Sequence, residues 1–262
     1  TDRARKMMRE IYRPLFLRET PIVFTDLETS ELTKYAANSF LATKITFINE
    51  IADLCEKLGA DVHDVAKGIG LDGRIGSKFL HPGPGYGGSC FPKDTIALVQ
   101  TATKADSPLR IVEAVVEVND KRKKSMAKKI LNACSGNVTD KTLAILGVTF
   151  KPNTDDMRDA PSLDIIPAPQ AEGANTNAYD PEGMHEAKSV LKDVSWCNDA
   201  YEAMAGADAV AILTEWNEFR GLDLPRIKSL LRHPIVIDLR NIYNPEEMRD
   251  AGFIYSCVGR KR

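Results

Sequence analysis

Residues 83–95 read Gly83-Pro84-Gly85-Tyr86-Gly87-Gly88-Ser89-Cys90-Phe91-Pro92-Lys93-Asp94-Thr95. Gly83, Gly85, Gly87 and Gly88 lack a Cβ, so the backbone here can turn tightly and approach a ligand closely. Pro92 sets φ as the first turn of a helix needs, and Ile96, Ala97, Leu98 and Val99 continue apolar beyond it. Cys90 therefore falls in a tight loop at a helix N-terminus, where the helix dipole and Lys93 favour a thiolate. Asp94, four positions on, lies one helical turn from Cys90. A sulfur nucleophile with amide donors and a carboxylate beside it suits acyl chemistry. The simpler reading makes Cys90 a small buried hydrophobe and the glycines a turn. Glycine cluster, helix start, Lys93 and Asp94 together favour the reactive one.

The longest periodic segment lies upstream. Leu32, Tyr35, Ala36, Ser39, Phe40, Thr43, Phe47, Ile51, Leu54 and Leu58 recur at helical spacing. They predict a helix over 28–58, capped by Thr29 or Ser30 and stopped at Gly59. Lys34 and Asn38, four apart, project from one side of it. A shorter helix is expected over 61–69. Then comes Gly68-Ile69-Gly70-Leu71-Asp72-Gly73, a literal G-x-G-x-x-G. It trails a helix, whereas a dinucleotide fingerprint follows a strand and opens a helix, so it is not one. Downstream, Leu109, Val112, Val115, Val116, Asn119, Met126 and Ile130 predict a long helix from Pro108, able to link domains and offer a dimer face. Its Lys121-Arg122-Lys123-Lys124 and Lys128-Lys129 runs lack interleaved aromatics and read as a solvated face, not a nucleic-acid surface.

At the amino end, 3–17 reads as a short amphipathic helix ended near Pro14, and 20–26 as a strand through Ile22, Val23 and Phe24. Beyond Gly136-Asn137-Val138 the pattern changes. Strands are expected over 142–148, 208–213 and 234–239, with a weak one near 175–179, and helices over 162–171, 199–205 and 224–232. Strand alternating with helix predicts a parallel doubly wound sheet whose ligands sit at the carboxyl ends of its strands. Phe150, Lys151, Asp155, Arg158, Tyr179, Asp180, Thr214, Glu215, Trp216, Asp238 and Arg240 stand there. Pro167 and Pro169 should kink or shorten the first of these helices, and Asn175-Thr176-Asn177 is poor strand sequence.

With 43% hydrophobic and 27% charged residues, the 262-residue chain has enough apolar material for ordinary cores in two domains. A net charge of −2 gives no general attraction to nucleic acid or anionic membrane, and no apolar run reaches the length of a membrane span. Cys55, Cys90, Cys134, Cys197 and Cys257 are odd in number and scattered, as are His63, His81, His185 and His233. No metal site is expected, and free thiols in a reducing cytoplasm are. The start at Thr1, without a methionine and directly in a charged helical pattern, reads as a piece of a longer protein.

The segment from Tyr86 to Asp94 closely resembles the active-site stretch of the UDP-glucose/GDP-mannose dehydrogenase family, in its UDP-glucose branch. Leu32-Thr33-Lys34-Tyr35-Ala36-Ala37-Asn38-Ser39-Phe40 is similar to the family's second signature. Gly147-Val148-Thr149-Phe150-Lys151-Pro152-Asn153-Thr154-Asp155-Asp156-Met157-Arg158 resembles part of its C-terminal UDP-binding domain. So do Ala178-Tyr179-Asp180-Pro181 and Asp238-Leu239-Arg240-Asn241, and the likeness runs over nearly the whole chain.

The resemblance implies an α/β chain. An all-helical central dimerisation region, 28–135, precedes a Rossmann-like doubly wound parallel sheet domain that binds UDP, 136–262; residues 1–27 close an N-terminal NAD-binding domain. It implies NAD-dependent double oxidation of UDP-glucose at C6 to UDP-glucuronate. Cys90 would capture the aldehyde as a thiohemiacetal and then carry a thioester that water hydrolyses. By the same analogy Lys34 and Asn38 stabilise the oxyanion and Asp94 orients or activates water. Arg74 reaches the substrate of a neighbouring subunit; Phe79, Leu80, Gly85, Gly87, Lys151 and Arg240 hold the UDP-sugar; Lys93 and Arg158 lie toward NAD. A homodimer or higher homo-oligomer is expected, with no nucleic-acid or membrane partner. No strand followed by G-x-G-x-x-G occurs, so the chain is expected to carry the substrate-binding and nucleophile half and, alone, to show little dehydrogenase activity. Three alternatives stand beside this. One is a sister enzyme acting on GDP-mannose or UDP-N-acetylmannosamine, against which Phe91 and the segment up to Asp94 speak. The second is a non-catalytic UDP-sugar-binding or oligomerisation module. The third is a cysteine hydrolase, for which no His lies near Cys90 in sequence.

Overall fold

The structure, a computed structural model, describes residues 1–15 and 21–260. It divides into two compact units, Thr1–Ala37 and Asn38–Arg262. In the first, helix α1 (Asp2–Tyr12) is capped by Thr1 Oγ1, which accepts from Ala4 N at 3.3 Å, and a 3-10 turn (Arg13–Leu15) ends it around Pro14 as expected. Residues 21–26 form no strand. A lone strand must place its N–H and C=O groups on a neighbour, and among the described residues none pairs with this segment. Phe24 instead lies under the guanidinium groups of Arg5 and Arg9, 5.8 and 5.3 Å from its ring centre. Residues 16, 17 and 20, the ends of these two expected elements, lie outside the described residues. Helix α2 (Leu27–Leu58) is capped by Asp26, not by Thr29 or Ser30: Asp26 Oδ1 accepts from Thr29 N at 2.7 Å.

The second unit contains most of α2, then α3 (Val62–Gly70), α4 (Phe91–Lys104) and α5 (Arg110–Ala133). The G-x-G-x-x-G sits on the tail of α3, where no strand precedes it. The basic run of α5 departs from the expected solvated face, because Arg122 and Lys123 are only 4% and 6% exposed and pair with Asp53 and Asp164. Four consecutive helical residues circle the axis, so part of such a run has to face inward.

Six strands follow: β1 (Thr142–Leu146), β2 (Asn175–Tyr179), β3 (Val194–Trp196), β4 (Ala209–Ile212), β5 (Ile235–Asp238) and β6 (Ile254–Cys257). All pair in parallel, in the order β3-β2-β1-β4-β5-β6, so the winding reverses between β1 and β4. The edge strands β3 and β6 are absent from the sequence expectation because, exposed or half-buried at most positions, they carry no continuous apolar run like those of β4 and β5. Asn175-Thr176-Asn177 does form a strand. Thr176 is buried, and Asn177 Nδ2 donates to Ala203 O at 3.2 Å, which satisfies the side chain that made the segment look unsuitable. The helix expected over 162–171 is two pieces, α6 (Ser162–Ile165) and α7 (Pro167–Ala171), divided where Pro167 withholds its N–H.

Helices α8 (Met184–Val190), α9 (Ala200–Met204), α10 (Asn217–Arg220), α11 (Leu224–Leu230) and α12 (Pro245–Asp250) complete the fold. One apolar layer joins Ile48, Val62, Met126 and Ile130 of the helical part to Leu143, Ile145 and Ile237 of the sheet. A second, with Leu146, Val210, Ile212, Phe219 and Val236, covers the other face. Helical part and sheet thus share a core. Among the described residues no helix is long and apolar enough to cross a membrane.

Candidate active site

Residues 82–88 are buried despite their glycines. Side chains of α2 and α5 hold their main chain. Asn49 Oδ1 accepts from Gly83 N at 2.8 Å, and Arg122 Nε donates to Gly83 O at 2.9 Å. Asn119 Oδ1 accepts from Tyr86 N at 2.8 Å while its Nδ2 donates to Tyr86 O at 3.1 Å. From the segment after β1, Arg158 O accepts from Gly88 N at 2.8 Å. A Cβ on Gly87 would lie 2.2 Å from Asp159 O, and one on Gly88 2.7 Å from the Phe150 ring. The close approach that the sequence suggests toward a ligand is made, at these positions, to the protein itself.

The loop delivers Cys90 to the start of α4, where Asp94 N donates to Cys90 O at 2.8 Å. Cys90 is exposed, whereas Cys55, Cys134, Cys197 and Cys257 are buried. Ser89 Oγ stands 3.6 Å from Cys90 Sγ. Asp94 is 3% exposed; its Oδ2 accepts from Asn38 Nδ2 at 2.6 Å and its Oδ1 from Lys93 Nζ at 2.5 Å. The fold thus gathers Asn38, Lys93 and Asp94 at the turn that carries Cys90. Lys34 is exposed and belongs to the first unit. Phe91 packs against Tyr86 at 6.0 Å and Phe79 at 6.1 Å between ring centres, bracing both sides of the turn. Burial pushes the Tyr86 phenol up to about 12, so it stays protonated. Leu80 is buried, and Phe79 adopts φ +64°.

The residues at the strand ends divide into two groups. Asp180 is fully buried and builds loops. Its Oδ2 accepts from Val148 N at 2.7 Å and Trp216 Nε1 at 3.2 Å, and its Oδ1 from Gly183 N at 2.7 Å. Asp238 accepts from Arg240 N at 3.0 Å and Tyr255 Oη at 2.7 Å, with its carboxyl pushed up by burial. Thr214 Oγ1 donates to Thr149 O at 2.5 Å, and Tyr179 packs edge-on against Phe219. The second group borders the glycine loop or solvent. Arg240 Nε donates to Leu213 O at 2.8 Å and lies 3.0 Å from Glu215, its Nη2 donates to Phe150 O at 3.1 Å, and its Nη1 comes within 3.3 Å of where a Gly83 Cβ would stand. Lys151 is exposed, its Nζ 5.3 Å above the Phe150 ring. Arg158 is exposed and forked onto Asp156, whose hydrogen bonds raise the guanidinium pKa further; Asp155 is exposed beside them. Arg74 is likewise exposed and forked onto Asp72, at 3.0 and 2.6 Å.

Sequence reasoning does not single out Asn49, Asn119 or Arg122 as site residues. A signal is present: Asn119 falls within the inward series Val112, Val115, Met126 and Ile130, where a polar side chain needs a partner. Among the described residues no group of three or more His, Cys, Asp or Glu side chains is placed to hold a metal ion.

The central-domain profile of the UDP-glucose/GDP-mannose dehydrogenase family matches residues 28–121, and the profile of that family's UDP binding domain matches residues 144–245. The chain is 59% identical over 258 residues to a UDP-glucose 6-dehydrogenase of Rhizobium meliloti, covering 98% of this chain and 59% of that protein. It is 49% identical over 261 residues to one of Bacillus subtilis, covering 99% of this chain and 56% of that protein. Among solved structures, a UDP-glucose dehydrogenase from Pyrobaculum islandicum superposes with a TM-score of 0.84 at 33% identity, over 98% of this chain and 56% of that one. The chain therefore spans a little over half the length of these relatives.

Proposed function

Because the chain belongs to the UDP-glucose/GDP-mannose dehydrogenase family, we propose that it carries the substrate-binding and nucleophile half of an NAD-dependent UDP-glucose 6-dehydrogenase. In this reading residues 1–27 close the NAD-binding domain, 28–135 form the central domain and 136–262 the UDP-binding domain. The observation that carries it is one exposed thiol, Cys90, at the head of α4, in the same turn as the buried contact between Asn38 and Asp94.

When bound, NAD supplies the acceptor for the two hydrides that leave C6 of the sugar. Cys90 Sγ adds to the aldehyde carbon as its proton passes to the carbonyl oxygen, giving a thiohemiacetal. Removal of the second hydride and the hydroxyl proton leaves a thioester. Water then adds at that carbon, the C–S bond breaks, and carboxylate and thiol separate. Asn38 offers an amide to the negative oxygen that develops on C6. Asp94, held by Asn38 and Lys93, orients or activates the water. Lys151 and Arg240, beyond β1 and β5, suit the diphosphate of UDP. Arg158 and Lys93 present exposed cations toward a dinucleotide phosphate. Phe79 belongs to the sugar loop, and Arg74 reaches the substrate of a neighbouring copy.

Thermal melting with UDP-glucose, GDP-mannose and NAD added separately tests the reading, since whatever binds the native state raises the midpoint. UDP-glucose is expected to raise it and to slow alkylation of Cys90 by iodoacetamide. Cys90→Ser should keep the shift and lose the alkylation. A shift with GDP-mannose alone would move the assignment to the sister enzyme, and tight UDP-glucose binding that leaves Cys90 unprotected would favour a non-catalytic module.

We also propose that two copies associate through α2. Phe40, Phe47 and Leu54, seven apart, are 66%, 49% and 49% exposed, an apolar stripe on one side of a long helix. Helix α5, where the sequence suggests a dimer face, turns Val115, Met126, Ala127 and Ile130 into this chain's own core.

A further inference from the structure

We infer that Asn119 is a positioning residue for Cys90, acting as a strand partner one residue long for Tyr86. This role rests on the proposed reading of Cys90 as the nucleophile of a UDP-glucose site. A carboxamide carries an acceptor and a donor on one edge, which matches the N–H and C=O of a single peptide residue. Asn119 uses that edge fully. Its Oδ1 takes the Tyr86 N–H at 2.8 Å, its Nδ2 gives to Tyr86 O at 3.1 Å, and the side chain is 4% exposed. The reverse amide orientation would set donor against donor and oxygen against oxygen, so the side chain has one placement.

The surroundings make this contact decisive for where the loop runs. Arg122, one turn further along α5, donates to Gly83 O, and Lys123 Nζ lies 3.4 Å from Asp159 O. Gly85, between the two anchored residues, has φ +116°, and a Cβ there would stand 3.0 Å from Asn119 Oδ1. Two residues beyond Tyr86, Gly88 N is bound to Arg158 O. The path into Cys90 is therefore set by Asn119 upstream and by the segment after β1 downstream, with Asn119 acting through Tyr86.

The chemistry separates positioning from mere filling of space. In Asn119→Asp the ionised carboxylate still accepts from Tyr86 N but presents oxygen to Tyr86 O. Once protonated, the carboxyl has an O–H to donate and restores the pair. Charged groups around the clamp are Asp120, Arg122 and Lys123 on α5, Asp53 on α2, and Asp159 and Asp164 after β1; the cations oppose, and burial and the carboxylates favour, protonation of the introduced group. Asn119→Leu fills the space and offers no hydrogen bond at any pH.

Two readouts test the role: exchange of the Tyr86 amide hydrogen, corrected for its intrinsic pH dependence, and the UDP-glucose concentration that half-protects Cys90 from iodoacetamide. Circular-dichroism melting verifies that each variant is folded. Asn119→Leu is expected to worsen both about tenfold or more at every pH, the effect of leaving buried groups unpaired. Asn119→Asp should match that loss at about pH 8 and return to within about threefold of the unaltered chain at about pH 5. An Asn119→Leu or Asn119→Asp chain that equals the unaltered one at the higher pH overturns the role. If UDP-glucose fails to protect Cys90 in the unaltered chain, the functional reading falls, and the Tyr86 amide alone still decides whether the clamp exists.

Discussion

A Cβ placed on Gly87 would lie 2.2 Å from the carbonyl oxygen of Asp159, itself a non-glycine residue at φ +49°. Neither partner is the free end of a flexible side chain, so the backbone itself must move. Gly87→Ala is expected to destabilise the chain by about 1–3 kcal/mol, as overpacking does. Urea unfolding should show a lower midpoint at an unchanged slope. Gly73, with nothing within 4 Å, is the control, and its alanine variant should unfold like the parent. Equal midpoints for all three chains would refute the contact. At this scale the sequence discloses half of each relationship. The glycines, Cys90 and Asp94 are visible in it. Asp159, Asn119 and Arg158 meet the loop from elements far along the chain, so their contacts with it leave no local pattern. The same holds for Asn38 and Asp94, which only the resemblance joins before the fold does.

Helix α3 is pinned at its first turn. Val62 N donates to Gly259 O at 2.8 Å, and Arg260 Nε to Asp61 Oδ2 at 3.1 Å. His63 Nε2 meets Asn241 Nδ2 at 3.3 Å. That amide's orientation is set by Val258, whose O accepts from Nδ2 at 2.8 Å and whose N donates to Oδ1 at 2.9 Å. Nε2 must therefore accept, and the imidazole is neutral. Burial, then Arg260 and His81, hold the His63 pKa below its ordinary value against the pull of Asp61 and Asp64. A base with a depressed pKa stabilises the fold in its neutral form. Its contribution is whole above about pH 6.5 and is lost as pH falls through the lowered folded value. Urea titrations at about pH 7.5 and pH 5 should show His63→Gln losing less stability on acidification than the parent. Equal losses would sink the idea. Elements, unlike side-chain partners, were mostly legible in the sequence. The long helices and inner strands follow from periodicity, and the break at Pro167 from its missing N–H. Residues 21–26 and 175–177 mislead in opposite directions. Among the described residues the first segment has no neighbour to pair with, while the second has β1 and β3 on either side.

From Asn38 onward the chain is one compact unit, although the two family profiles divide it. Its parallel sheet was readable from alternating strand and helix, but the shared core of helices and sheet was not, because neither pattern names the other's contact face. The apolar stripe on α2 belongs to this scale, since its side chains stay exposed among the described residues. Phe47→Glu should turn a dimer into a monomer in light scattering at micromolar concentration, as a charge in the middle of an apolar interface costs several kcal/mol, roughly the scale of an unpaired buried ion. An unaltered chain that is already monomeric there would refute association through α2. The burial of residues 82–88 between helices and sheet also bears on descent. Cut between Cys134 and Thr142, where the last long helix gives way to the first strand, the chain falls into two parts that meet at this loop. A splice there would set a glycine loop cut to one Asp159 against a stranger's backbone. The two halves have to be inherited as a matched pair.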